Sequence, residues 1–260
     1  MQKEAAELAH WRHELEHLRR WFIDGTEDWW GLPAPSDEQK LTASDLWATN
    51  GILTMHHLRA TYWEELQLDG EALDGERVLE VGCGPLAPVL QFRGCERHGL
   101  DILIDAYLNA GWPLFDLDVR FVDAPAERMP YPDGWFDSVI SVNALDHVDD
   151  FEATCREMER VLRPGGRMRF NVEYHKPTVT EPLELDDRRV EAAFERVPVR
   201  KVREVSAPEL FRGIGERFGL PSSAPPQLGS GERYALWTGV KPGGMRSGEV
   251  KLANLSLRRP

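Results

Sequence analysis

Hydrophobic positions divide the chain into two regions of different period. In the first, Leu8, Trp11, Leu15, Leu18 and Phe22 recur at three- and four-residue steps, which puts them on one face of an amphipathic helix that must cover something. The turn-forming run GLPAPSDEQ, from Gly31 to Gln39, follows, and a second apolar stretch from Leu46 to Leu66 carries Trp47, Met55, Tyr62 and Trp63. Residues 1–70 therefore read as a helical cap on the substrate side. From Arg77 onward, short apolar runs alternate with helical stretches: RVLEV, RHGLDIL, VRFVDA, WFDSVISV and RMRFNVEY. This alternation predicts a parallel sheet with helices on both faces, an α/β fold, across residues 71–260. Phe151, Cys155, Met158 and Leu162 mark a helix stripe before the fifth run, closed by Arg163-Pro164-Gly165-Gly166 as a stop signal. Two late runs, VPVRKVREV from Val197 and ERYALWTGV from Glu232, predict an antiparallel edge.

Composition narrows the partners. A chain of 260 residues with 42% hydrophobic and 29% charged residues has the balance of one sizeable folded domain with a decoration. Its 44 acidic residues outnumber 31 basic ones, a formal charge of −13 that repels a phosphate backbone. No nucleic acid is expected as substrate, since the basic clusters at Arg200 to Arg203 and Arg258 to Arg259 are short. The charged start, MQKEAAELAHWRHELEHLRR, lacks the apolar core of a signal peptide, and no later run is long enough to cross a bilayer. A cytoplasmic protein with no membrane partner is expected. Cys83, Cys95 and Cys155 form an odd set without CxxC spacing, so they read as reduced thiols rather than disulfides or zinc ligands.

The candidate chemistry centres on Val78-Leu79-Glu80-Val81-Gly82-Cys83-Gly84-Pro85, a buried strand running into a glycine turn and a helix start. Glycines admit close backbone approach to a ligand, and such switch points are where α/β folds bind cofactors. A tight strand-to-helix turn needs the same residues for structural reasons alone. Asp101, 21 positions after Glu80 and at the end of the second predicted strand, is placed to accept hydrogen bonds from both hydroxyls of a ribose. The alternative for Asp101 is a solvated aspartate in a βα loop.

With these residues the chain resembles the class I S-adenosylmethionine-dependent methyltransferases, of the small-molecule branch, from about Arg77 to Glu173. The resemblance is carried by LEVGCGPLAP, DAPAERMPYPDGWFDSV, SVNALDHVDD and EMERVLRPGG. Two departures stand out: Leu86-Ala87-Pro88 replaces the usual third glycine, and Pro125 stands where an acid often precedes Ala126-Glu127. The resemblance implies a Rossmann-like seven-stranded, mostly parallel sheet, the cofactor S-adenosylmethionine and the product S-adenosylhomocysteine. It also implies that Gly82, Cys83 and Gly84 face the donor through their backbones and that Glu80 holds their loop. By the same resemblance Asp101 binds the ribose, Ile102 and Leu103 line the adenine, Ala126 and Glu127 meet its polar edge, and Asn143 lies below the sulfonium.

The acceptor side is less defined. In NALDHV, His147 is the candidate general base toward a hydroxyl, although a histidine at a helix start also caps or packs. Asp146 and Asp149 read as N-caps of the following helix. The polar run Glu173 to Pro182 suggests a loop over the active site, with Tyr174 and His175 as substrate contacts. By analogy with some sugar methyltransferases, His175 and Glu181 could hold a metal together with acidic groups of NALDHVDD, but their spacing is unspecific and no metal is expected. Trp29 and Trp30 lie outside the helical period and are the better ligand candidates among the N-terminal tryptophans. By analogy with methyltransferases of polysaccharide and natural-product pathways, the acceptor reads as a hydroxyl of a sugar or glycan-linked small molecule. An amine or carbon of a secondary metabolite is the alternative, and a non-catalytic cofactor-binding partner the third.

Overall fold

A computed structural model describes residues 2–20, 65–206, 209 and 233–243. Phe22, the Gly31 to Gln39 turn and nearly all of the second apolar stretch lie outside these residues, as do Trp29 and Trp30.

Seven strands form one sheet in the order β3-β2-β1-β4-β5-β7-β6. They are β1 (Arg77–Val81), β2 (Glu96–Asp101), β3 (Arg120–Asp123), β4 (Phe136–Ser141), β5 (Leu162–Tyr174), β6 (Val199–Ser206) and β7 (Arg233–Val240). The first five run parallel, and β7 inserts antiparallel between β5 and β6. The antiparallel edge predicted from the two late runs is thus present, as is the mostly parallel sheet. Chain order reverses between β1 and β4, so the turns leaving those two strands diverge and open a crevice at their carboxyl ends.

The four helices with described bounds are α1 (Gln2–Arg19), α2 (Ile104–Asn109), α3 (Phe151–Val161) and α4 (Asp187–Ala193). Helix α3 buries Phe151, Cys155, Met158 and Val161, the three- and four-residue stripe read from the sequence. Its end comes sooner than expected, because Leu162 already belongs to β5 and Arg163-Pro164-Gly165-Gly166 is drawn into the strand. Gly165 there has φ +76, and a Cβ on Gly166 would collide with Leu162, so the glycines allow a bent strand start rather than a loop. After β1 the expected helix start is a single 3-10 turn, Pro88–Gln91. Pro85 and Pro88 withhold backbone N–H donors, which shortens what can form there.

Burial follows the sheet's alternation. Phe170, Val172 and Tyr174 of β5 join α3, α4 and Trp237 in the largest core, with Phe194 stacked on Phe170 at 5.1 Å between ring centres. On the opposite face Val78, Val89, Phe92 and Ile140 pack around Leu66 and Leu73. Leu8, Trp11 and Leu15 of α1 reach a third cluster with Leu86, Leu90, Ile104, Tyr107 and Trp112. The helix predicted to need a surface to cover therefore lies over the segments that follow β1 and β2. Cys83 and Cys155 are buried and Cys95 half-buried, all as free thiols. Among the described residues no helix is long and apolar enough to cross a membrane.

Candidate active site at the carboxyl ends of β1, β2, β4 and β5

The turn after β1 is held by its own strand and by its neighbours. Glu80 is fully buried, and its carboxylate accepts the Val89 N–H at 2.9 Å, tying the far side of the loop to β1. Gly82 donates to the Leu100 carbonyl at 2.8 Å and adopts φ +70. A Cβ there would overlap the side chain of Ala144, so the missing side chain makes room for the segment after β4. Gly84, at φ +54, has the Trp11 ring 3.4 Å from where its Cβ would stand. Cys83 is buried, and burial with the nearby Asp101 and Glu80 charges pushes its thiol pKa well up, leaving it neutral.

Asp101 joins this turn to the end of β2. One carboxylate oxygen accepts the Gly84 N–H at 3.0 Å and the other the Leu103 N–H at 2.9 Å. Burial of the carboxylate raises its pKa to about 6, against the lowering effect of those two bonds. Each oxygen keeps capacity for one further donor. Ile102, next along the chain, is an exposed apolar side chain, 45% accessible, whereas Leu103 is buried in the third cluster. A carboxylate with spare acceptor capacity beside an open apolar face fits a ribose and its adenine.

After β4 the backbone turns through Asn143, at φ +49, a conformation that asparagine tolerates better than most residues. Its N–H donates to Asn171 Oδ1 at 2.6 Å, and Asn171 Nδ2 donates to Glu65 at 2.9 Å. Ala126 is buried in the largest core, and Glu127 accepts the N–H groups of Asp149 and Asp150 at 2.7 and 3.1 Å. The N-cap of α3 is Asp150, whose side chain accepts from Ala153 at 2.9 Å; this corrects the assignment of that role to Asp146 and Asp149. Asp149 pairs with Lys3 instead. Asp146 is fully buried and meets His175 Nε2 at 2.9 Å.

His147 lies between two carboxylates from distant segments. Its Nδ1 is 3.5 Å from Glu7 of α1 and its Nε2 3.7 Å from Glu181. Burial of the ring opposes its charge, but Glu7, Asp146 and Glu181 outweigh that and raise its pKa to about 9. His175 is likewise raised to about 9, chiefly by its bond to Asp146, while its Nδ1 faces the Lys176 carbonyl at 2.8 Å. Both rings are cations at neutral pH in this arrangement. Tyr174 points to the opposite face of β5, where its hydroxyl donates to Asp187 at 2.6 Å. Strand β5 ends at Tyr174, and the chain beyond it brings His175 to Asp146.

Helix α1 contacts both the segment after β4 and the turn after β1. Lys3 donates to the His147 carbonyl at 2.8 Å, Glu7 faces the His147 ring and accepts from Trp11 Nε1 at 2.9 Å, and Trp11 covers Gly84. These three residues stand at four-residue steps on one helix face, a polar-aromatic row beside the apolar stripe. That spacing was the available signal for Lys3 and Glu7, which the apolar period alone passes over. Asn171 carried no such signal.

Comparison with known proteins agrees with this geometry. Residues 79–170 match the family model described as a methyltransferase domain. The chain is 30% identical over 193 residues to a fatty-acid O-methyltransferase of Mycolicibacterium smegmatis, covering 65% of this chain and 69% of that one. It belongs to the class I S-adenosylmethionine-dependent methyltransferases. A ubiquinone/menaquinone biosynthesis C-methyltransferase of Vibrio cholerae is 36% identical over 131 residues, covering 46% of this chain but only half of the relative. Phosphoethanolamine N-methyltransferase 2 of Haemonchus contortus, solved with phosphomonomethylethanolamine and S-adenosylhomocysteine, has the same fold. Its TM-score is 0.52 at 15% identity, over 81% of this chain and 61% of that one. As a member of the family this methyltransferase uses S-adenosylmethionine, which supplies a sulfonium-activated methyl group.

Proposed function

We propose that the protein transfers the methyl group to an oxygen of a small acceptor, with a hydroxyl of a sugar or glycan-linked compound as the favoured class. The observation that carries this reading is the polar cluster beside the donor crevice. Asp146, His147, His175 and Glu181 converge there from the segments after β4 and β5, with Glu7 arriving from α1. Such a surface suits an acceptor rich in hydroxyls better than an apolar carbon nucleophile. In-line transfer from a cationic donor needs little acid help, so positioning contributes most of the rate. A hydroxyl must also lose its proton, and His147 is the proposed acceptor of it. Because His147 is charged in this arrangement, it must first release its own proton before it can take one from the acceptor. Asp101, Ile102, Glu80 and the turn from Gly82 to Gly84 are the proposed donor site, joined by Leu103, Ala126, Glu127 and Asn143 as backbone and wall. Residues 1–70, with Trp29 and Trp30, are the proposed acceptor side, and His175 lines it more directly than Tyr174.

A second reading, methylation of a carboxylate on a long-chain acid, is favoured by the fatty-acid O-methyltransferase, 69% of whose length this chain matches. It needs no base. The deciding experiment incubates the protein with donor carrying a 13C methyl group and panels of glycosides, fatty acids, amines and quinols. The oxygen reading expects an O-methyl carbon signal in the product: alkali-stable for a hydroxyl acceptor, alkali-labile for an acid. An N- or C-methyl signal would overturn it.

A further inference from the structure

The three residues Asp146, His175 and Glu181 come from two segments, yet their ligand-type atoms all lie within 4.8 Å of one another. For metal–oxygen and metal–nitrogen bonds of about 2.1–2.3 Å, neighbouring ligands stand about 3 Å apart and opposite ligands up to about 4.6 Å, so this spacing suits one ion. The contact between His175 Nε2 and Asp146 Oδ2, at 2.9 Å, already has the separation of adjacent ligands.

A further observation points to a missing ligand. Asp146 is fully buried, and its Oδ1 has no hydrogen-bond partner among the described residues. A buried carboxylate oxygen without a donor is costly, and a cation is one of the few groups that satisfies it. No comparable His/Cys/Asp/Glu group is present elsewhere among the described residues.

We infer that Asp146, His175 and Glu181 form a divalent cation site, taking a first-row ion such as Mn2+ or Zn2+. The imidazole and two carboxylates are a mixed nitrogen and oxygen set, which suits those ions better than Mg2+ or Ca2+. This inference runs against the expectation, drawn from residue spacing alone, that no metal binds. Three protein ligands leave further coordination positions open to water or to an acceptor oxygen. His175 is oriented for the role by its other ring nitrogen, which faces the Lys176 carbonyl. The inference does not depend on the acceptor proposed above, because ion binding is read without any methyl transfer.

The test uses the full chain, stripped with EDTA and returned to metal-free buffer. Mn2+ is titrated in while electron paramagnetic resonance follows the free ion, and Zn2+ is titrated by calorimetry. One bound equivalent is expected, with affinity reduced tenfold or more by Glu181→Gln and by His175→Gln. Glu184→Gln, at an exposed residue paired with Lys176, is expected to bind as the wild type does. Failure of the folded wild type to bind either ion in excess would overturn the inference, and so would binding that both site variants leave unchanged. Glu181 is half-buried on a loop, so its variant stays informative even if the His175 substitution unfolds the protein.

Discussion

The Asp101 carboxylate accepts the Gly84 N–H at 3.0 Å, so the acid proposed to bind the donor's ribose also fastens the glycine turn. Asp101→Ala is expected to weaken S-adenosylmethionine and S-adenosylhomocysteine at least tenfold. A hydrogen bond to a charged group contributes roughly 1.5–3 kcal/mol, and loosening of the turn adds to the loss. Calorimetric titration and thermal melting on one preparation check both effects. Unchanged affinity in a folded variant would remove Asp101 from the site.

The same carboxylate gives the protein a pH response. Its pKa in the fold is about 6, above the ordinary 3.8, so the folded state holds that proton more tightly than the unfolded chain. Asp101's contribution to stability is thus fully present below about pH 3.8 and is lost as pH rises through about 6. Donor binding runs the other way, because ribose hydroxyls donate best to the ionised form. S-adenosylhomocysteine affinity should rise between pH 5 and pH 7, about a unit either side of that pKa, and Asp101→Asn should flatten the rise. A wild-type affinity that is flat across this range would count against Asp101 as the titrating contact.

Gly82 and Ala144 test why the turn needs glycine. Gly82 has φ +70, which costs a residue with a side chain roughly 1–2 kcal/mol, and its Cβ would overlap Ala144. Gly82→Ala should lower the melting temperature and Gly82→Val lower it further, with donor binding lost through the displaced turn. Adding Ala144→Gly to Gly82→Ala should recover the part of the loss due to overlap. Equal melting of the single and double variants would show that backbone strain alone is responsible.

For His147, the proposed proton acceptor, His147→Ala should reduce turnover by roughly 10²–10⁴-fold while donor affinity changes little. The ring also anchors α1 through Glu7, 3.5 Å away, so some loss of thermal stability is expected. Glu7→Gln separates the two roles, since it weakens the anchor and keeps the imidazole. Near-normal turnover in His147→Ala, with a melting temperature depressed as far as in Glu7→Gln, would leave His147 a structural residue.

The proposed donor half of the site was legible because its signals are local. A buried strand such as Val78 to Val81 announces itself by apolar residues broken only by Glu80, the glycine turn follows directly, and Asp101 ends the next strand. Parallel pairing of adjacent strands then brings Gly84 and Asp101 together without further information. The period-2 runs near Val197 and Glu232 likewise declared an antiparallel edge, and the helix stripe from Phe151 needed only its three- and four-residue steps.

The acceptor half was decided by contacts that no local pattern encodes. Lys3 reaches the His147 carbonyl across 144 positions, and His175 meets Asp146 across 29. His147, Asp146 and Glu181 each read as a cap, a base or a loop residue in the sequence, since their chemistry depends on which charges stand beside them after folding. Sheet alternation sent Tyr174 into the largest core, and only the path of the chain beyond the end of β5 brings His175 to Asp146. Sequence alone determined the fold class and the glycine turn of the proposed donor site, because periodicity and glycine geometry act between near neighbours. Tertiary structure alone determined that α1 meets His147 and Gly84 and that Asp146, His175 and Glu181 come together, because electrostatic environment and ligand geometry belong to the space between segments.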